Sequence, residues 1–159
     1  QAIAEMRIIM NGLAGKSLPL SEIIADLRHE TVFRLEAVKI NTKWPVKEDL
    51  DGILLNYDTY RNYLSIIREL ISNIIRHANA NEVCVSIKYE KGIFLTELSD
   101  NGSWLLKDAG KDQHGLNNLN KRAEALNGSI TFNFNNTQRG TLVTLLIPLN
   151  DHQSITGAS

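Results

Sequence analysis

The segment 59–80 carries two patterns at once, and together they constrain everything packed around it. Leu64, Ile67, Ile71, Ile74 and Ala78 recur at three- and four-residue intervals. That is the spacing of an apolar stripe on an α-helix, which other structure has to cover. Glu69, Asn73 and His77 recur at i, i+4 and i+8, so they form one polar line along the same helix. Asn is a poor helix-interior residue, because its amide competes with the backbone for hydrogen bonds. With Glu one turn before it and His one turn after, it reads as part of a binding line. The amide and carboxylate oxygens are hard donors suited to Mg²⁺, and Arg76 and His77 can meet phosphate. On this reading position 73 faces a ligand and not the apolar stripe.

The remaining chain supplies the cover. Ile3, Met6, Met10 and Leu13 follow a narrow helical seam, readable as a helix packed on its own domain or as the end of a dimerisation helix. The break Gly15-Lys16-Ser17-Leu18-Pro19 ends it. Ser21 then caps a second helix, with Glu22 and Asp26 near its positive end and Ile24, Leu27, Thr31 and Leu35 on its buried side. A first strand is expected over 38–44, ended by Pro45, while 46–58 gives no clear element. After the helix, Val83, Val85, Ile87 and Tyr89 alternate with Glu82, Cys84, Ser86 and Lys88, a half-buried strand. Glu90-Lys91-Gly92 turns the chain into a returning strand over 93–99. Asp100-Asn101-Gly102 then closes an apolar strand and opens a glycine turn. A carboxylate at a strand end can accept a hydrogen bond from the exocyclic amine of adenine. Residues 103–114 are polar and without period. Leu116, Leu119, Ala123 and Leu126 make another helix, stopped by Gly128. Ile130, Phe132 and Phe134 form a strand, Asn135-Asn136 a turn, and 142–147 the last strand, followed by a frayed tail from Asn150. Antiparallel strand pairs mixed with three helices imply helices stacked on one face of a sheet.

The line Glu69-x-x-x-Asn73-x-x-Arg76-His77-Ala78 and the turn Asp100-x-Gly102 resemble the N box and first Gly box of the GHKL ATPase superfamily. His114-Gly115-Leu116, then Leu119, Arg122 and 125–130, resemble the second Gly box and following helix of the NarX/LiaS/DesK-like sensor histidine kinases. Gly140-Thr141 resembles their final Gly-Thr element. The four motifs cover 65–148 in the family's order. The resemblance implies an α+β fold: a two-layer α/β sandwich of the GHKL (Bergerat) type, with a mixed, mostly antiparallel sheet and helices on one face. It divides the chain into the end of a dimerisation helix and a connecting helix (1–35), an ATP-binding catalytic domain (36–149) and a flexible tail (150–159).

The implied activity is transfer of the ATP γ-phosphoryl group to a His on the dimerisation domain, and thence to an Asp of a response regulator. The implied cofactor is Mg²⁺, held by Asn73, with Glu69 in a catalytic-support role and reaching the metal through a water. Arg76 and His77 would meet phosphates. Asp100 would read adenine N6, at about 1.5–3 kcal/mol for a hydrogen bond to a charged group, with Thr141 supporting it through a water and Gly102 letting backbone approach the base. Residues 103–114 would form a lid, and the helix beginning at His114, Gly115 and Leu116 would offer N–H groups to phosphate. The chain departs from the pattern at Trp104 and Gln113, where the family carries glycines; Gly110 lies nearby. An acidic residue follows the acceptor His in many such kinases, yet His29-Glu30 lacks the expected surroundings. His29 reads as a helix-surface residue, His114 as lid and His152 as tail, so the phosphoacceptor is expected elsewhere.

The expected partners are ATP or ADP, the chain's own dimerisation domain in a homodimer, and a response regulator. The net charge of −1 gives no electrostatic case for nucleic acid or a membrane surface. The single Cys84 excludes an internal disulfide and fits a reducing compartment. No apolar run approaches the roughly 18 residues of a membrane span. The start at Gln1, inside a helical pattern, reads as a piece of a longer protein: a cytoplasmic domain attached to the cell membrane only through other segments. Two further readings remain, an anti-sigma-type GHKL serine kinase and a non-catalytic nucleotide-binding scaffold.

Overall fold

The computed structural model describes residues 16–45, 49–102, 113–134 and 140–149. In chain order these form β1 (Ser17–Pro19), α1 (Leu20–Ala37), β2 (Asn41–Lys43), β3 (Leu54–Asn56), α2 (Tyr57–Asn73, continued as a π-helical turn at Ile74–Ala78), β4 (Glu82–Glu90), β5 (Ile93–Asp100), α3 (Gln113–Ala125), β6 (Ser129–Phe134) and β7 (Thr141–Pro148). A five-stranded sheet runs β2-β4-β5-β7-β6, with β2 parallel to β4 and the other pairs antiparallel. β1 and β3 form a separate two-stranded antiparallel ladder.

The alternation read in the sequence decides which face is covered. Val83, Val85 and Ile87 on β4, Phe94, Thr96 and Leu98 on β5, and Val143, Leu145 and Ile147 on β7 are buried, while their neighbours are more exposed. The helices lie against the buried side: Tyr63 of α2 stacks on Phe94 at 5.0 Å between ring centroids, and its hydroxyl hydrogen-bonds Thr96 Oγ1 at 2.9 Å. Total burial pushes the Tyr63 phenol well above its ordinary pKa. Ile66, Ile67, Leu70, Ile71 and Ile74 of α2, Leu27 and Leu35 of α1, and Leu119, Ala123 and Leu126 of α3 complete one core. The expected α+β two-layer arrangement is what forms.

Several local expectations are corrected. The break at 15–19 contains β1. Ser21 caps no helix: α1 already begins at Leu20, and the Leu20 N–H donates to the Ile53 carbonyl at 2.8 Å, so the β1–β3 ladder feeds the helix its first partner. The strand expected over 38–44 shrinks to Asn41–Lys43, because α1 runs to Ala37 and then closes on itself. Lys39 takes a left-handed conformation (φ 62°), its N–H donates to Glu36 O, and the Ile40 N–H donates to Leu35 O. This six-to-one closure folds buried Ile40 back onto Leu35. The unassigned 46–58 holds β3 and the true start of α2, where Asn56 Oδ1 accepts from the Thr59 N–H at 2.8 Å. The stripe on α2 is broader than expected, since Tyr63, Ile66 and Leu70 are fully buried while Leu64 is half-buried. The residue that stops α3 is Asn127 (φ 56°), not Gly128. Gly128 is needed for a different reason: a Cβ there would lie 2.2 Å from the Leu146 carbonyl oxygen. The expected Glu90-Lys91-Gly92 turn forms, with both Lys91 and Gly92 at positive φ. The helix over 3–13, most of the lid, the 135–136 turn and the tail lie outside the described residues.

Candidate functional site

The polar residues of α2 meet where the helix changes pitch. Over Ile74–Ala78 the backbone closes i→i+5 bonds, and Asn79 follows in the left-handed region (φ 53°). Single π-helical turns widen a helix locally and are common at functional sites. The expected polar line comprises Glu69, Asn73 and His77. Arg76 is the residue that joins the first two. Its Nη2 donates to Asn73 Oδ1 at 3.1 Å and stands 3.5 Å from Glu69 Oε1. Arg76 is exposed and Glu69 and His77 are half-buried, whereas Asn73 is only 1% exposed. Asn73 is therefore buried, with its Oδ1 covered by the Arg76 guanidinium.

Asp100 ends β5 on the covered face and is 7% exposed. Its Oδ1 accepts from the Gly102 N–H at 2.7 Å, which bends the chain directly after the strand. In the sheet register Asp100 lies between Val83 of β4 and Thr141 of β7. Thr141 is 3% exposed, and its Oγ1 has no hydrogen-bond partner among the described residues. The turn is clamped by a residue that sequence reasoning passed over. Asn101 Oδ1 accepts from the backbone N–H groups of Asn81 and Glu82 at 2.9 and 3.1 Å, tying the end of β5 to the start of β4. The Asn-Gly pair after Asp100 was legible as a turn, but nothing in its spacing pointed to Asn81. A Cβ at Gly140 would come 3.1 Å from the Asp100 carbonyl oxygen, a tight approach beside the same carboxylate.

His114, Gly115 and Leu116 fall in the first turns of α3, with Leu116 half-buried against the core. The outer sides of α2 and α3 enclose a cleft of about 370 Å³ lined by Ser65, Arg68, Glu69, Ser72, Asn118 and Arg122 with Leu119. Its wall is braced by α1. Arg68 donates to both oxygens of Glu30 at 2.9 and 2.7 Å, and Arg34 Nη2 donates to Ser72 Oγ at 2.9 Å. The Arg68 hydrogen bonds hold the Glu30 carboxyl below its ordinary range against the opposing effect of burial. Glu30 is thus a structural partner, and His29 is exposed on α1 as expected. Among the described residues no group of three or more His, Cys, Asp or Glu side chains could hold a metal. A metal at this end of α2 would have to draw on Asn73 and on oxygens of a ligand, the manner in which Mg²⁺ is commonly bound.

The geometry thus offers two polar stations, Glu69-Asn73-Arg76 on the helix and Asp100-Thr141 on the sheet. Comparison with known proteins gives them a context. The chain is 38% identical over 98 residues to the nitrate/nitrite sensor protein NarQ of Escherichia coli (strain K12), and 31% identical over 88 residues to the oxygen sensor histidine kinase NreB of Staphylococcus carnosus (strain TM300). These matches cover 60% and 54% of the chain. The chain is homologous to the sensor histidine kinases. It spans 17% of NarQ and 25% of NreB, so it corresponds to a minor part of those proteins. No family model matches it. The histidine-kinase fold is also recovered among solved structures. Acinetobacter baumannii histidine kinase AdeS superposes with a TM-score of 0.65 at 17% identity, over 94% of this chain and 76% of that one. The histidine kinase domain of a blue-light activated kinase from Erythrobacter litoralis gives 0.59 at 16% identity, over 80% and 61%. No helix among the described residues of this histidine-kinase homologue is long and apolar enough to cross a membrane.

Proposed function

We propose that the chain is the ATP-binding catalytic domain of a two-component sensor histidine kinase, with 36–149 as that domain and 1–35 leading from a dimerisation helix. Its reaction moves the ATP γ-phosphoryl group to an imidazole nitrogen on the dimerisation domain, leaving ADP, and a response-regulator Asp is the next acceptor. The observation that carries this reading is the pair formed by Asp100 and Thr141. A buried carboxylate at a strand end stands beside a buried hydroxyl that has no hydrogen-bond partner among the described residues. Buried polar groups are normally hydrogen-bonded, so an orphan is a reason to look for a ligand. The exocyclic amine of adenine is a donor of the right chemistry for Asp100, and a water held by Thr141 would extend the contact.

The helix station fits the other end of the nucleotide. Asn73 Oδ1 and Glu69 are the oxygens that would hold Mg²⁺, directly and through a water. When bound, the ion would neutralise phosphate charge. Arg76 and His77 would take phosphate oxygens, and Arg76 can do so because its guanidinium is always charged. The α3 start at His114, Gly115 and Leu116 presents first-turn N–H groups, a ready anion site. Such phosphoryl transfer is catalysed by positioning and charge neutralisation, not by covalent chemistry of the protein.

The test supplies a dimerisation domain and ATP·Mg²⁺ to wild-type protein and to Asn73→Ala. Acid-labile phosphate on the acceptor His is expected from wild type and is expected to vanish with the variant. Because Asn73 is buried, the variant's folding is to be checked by circular dichroism first. A folded Asn73→Ala protein transferring at the wild-type rate would refute the assignment.

A further inference from the structure

The same guanidinium nitrogen contacts both oxygens assigned to the metal. Arg76 Nη2 lies 3.1 Å from Asn73 Oδ1 and 3.5 Å from Glu69 Oε1. Asn73 Oδ1 belongs to a side chain almost without solvent contact, so the oxygen needs a donor, and among the described residues Arg76 supplies it. From this we infer that Arg76 is a resident cation that occupies the metal station until nucleotide arrives, and that it couples metal binding to phosphate binding. The inference rests on the metal role of Asn73 proposed above.

The physical argument is one of exclusion followed by exchange. A Mg²⁺ ion sits about 2.0–2.1 Å from its oxygen ligands. A guanidinium nitrogen 3.1 Å from that same oxygen would face a divalent charge at close range, and like charges repel. Metal binding alone therefore has to expel Arg76, and leaves it without Asn73 and Glu69 as acceptors. A nucleotide changes the balance, because its phosphates accept bidentate hydrogen bonds from the displaced guanidinium. Metal and nucleotide each remove an obstacle to the other, and linkage makes the effect reciprocal. Arg76 lies in the π-helical turn at Ile74–Ala78, a local widening of the helix. Arg76 stands in the widened turn and is exposed, while Asn73 before it is fixed in the core.

The probe is Mn²⁺, followed by electron paramagnetic resonance and calorimetry with the protein alone and with ADP present. Wild type is expected to bind Mn²⁺ feebly without nucleotide. Arg76→Met removes the charge while keeping the length of the stem, and is expected to bind Mn²⁺ about tenfold more tightly without nucleotide, within the usual span of coupling between sites. It should also lose most of the mutual enhancement between Mn²⁺ and ADP. Arg76→Gln also removes the charge and should match Arg76→Met, which keeps the test valid should Arg76→Met fold poorly, while Arg76→Lys retains a charge and should stay closer to wild type. Adding Asn73→Ala to Arg76→Met should abolish the gained metal binding. Unchanged or weaker Mn²⁺ binding by Arg76→Met, in a protein that still binds ADP with metal, would overturn the inference and leave the proposed function standing. Tightened Mn²⁺ binding that survives Asn73→Ala would locate the metal elsewhere and overturn both. A wild-type protein that binds no adenine nucleotide would overturn the proposed function itself.

Discussion

Thr141→Val should make the protein more stable and a poorer nucleotide binder. The Thr141 hydroxyl is buried without a hydrogen-bond partner among the described residues, and Val replaces it with a methyl of nearly the same shape. Keeping an unsatisfied buried polar group costs about 1–3 kcal/mol, so removing it should recover about 1–2 kcal/mol. For a chain of this size that is a rise in Tm of about 2–8 °C. Strand propensity does not offset the gain, since both residues are β-branched. The outward neighbours Leu142 and Gly140 are untouched, and the backbone pairing of Thr141 with Asp100 and with Phe134 is retained. The nucleotide should lose a neutral, water-bridged hydrogen bond, about 0.5–1.5 kcal/mol or roughly twofold to tenfold in ADP affinity. Urea unfolding gives the first number and titration calorimetry with ADP and Mg²⁺ the second. A variant destabilised by about 1 kcal/mol or more, with unchanged ADP affinity, would refute the reasoning. It would mean that the hydroxyl is satisfied in the folded protein and serves the sheet, not a ligand.

Gly128→Ala should lower stability by about 3 kcal/mol, because the new Cβ would meet the Leu146 backbone carbonyl at 2.2 Å; thermal unfolding would read it, and a Tm within a degree of wild type would contradict the packing of α3 against β7. Glu30→Gln should flatten the acid limb of the stability curve. The Glu30 carboxyl is held below its ordinary 4.5 by Arg68, so its contribution is present above pH 4.5 and disappears as pH falls through the lowered value. The pair is partly exposed, which limits the effect to about 0.5 kcal/mol, and stability measured from pH 6 to pH 3 should show the wild type losing that much more than the variant.

Much of this molecule was legible because its patterns are long. The nine-residue β4 and eight-residue β5 and β7 show period-two alternation over several repeats, and the central helix shows its stripe over about four turns. The misses are short or depend on partners distant in sequence. β1, β2 and β3 have three residues each, too few for a period to emerge. Lys39 and Asn127 end their helices by taking left-handed conformations that no glycine announces. Tyr63 and Leu70 lie outside the stripe read in the sequence, and are buried because α2 packs against the sheet and against α1 and α3. At the candidate site, type and spacing singled out Asp100, Asn73 and Glu69. The contact of Arg76 with Asn73, three residues apart on the helix, has ordinary helical spacing but was not read as a pair. The Asn101 clamp on Asn81 and Glu82 joins residues that only the sheet brings together.

The central claim is that Asp100 and its surroundings recognise adenine. Calorimetric titration of the protein with ADP and with GDP, each with Mg²⁺, and of Asp100→Asn with ADP, addresses it directly. ADP should bind and GDP should not bind measurably, because guanine presents an acceptor where adenine presents its amine to the carboxylate. Asp100→Asn should bind ADP about tenfold to a hundredfold more weakly, the worth of one hydrogen bond to a charged group. Equal affinity for ADP and GDP, or an ADP affinity unmoved by Asp100→Asn, would contradict the account.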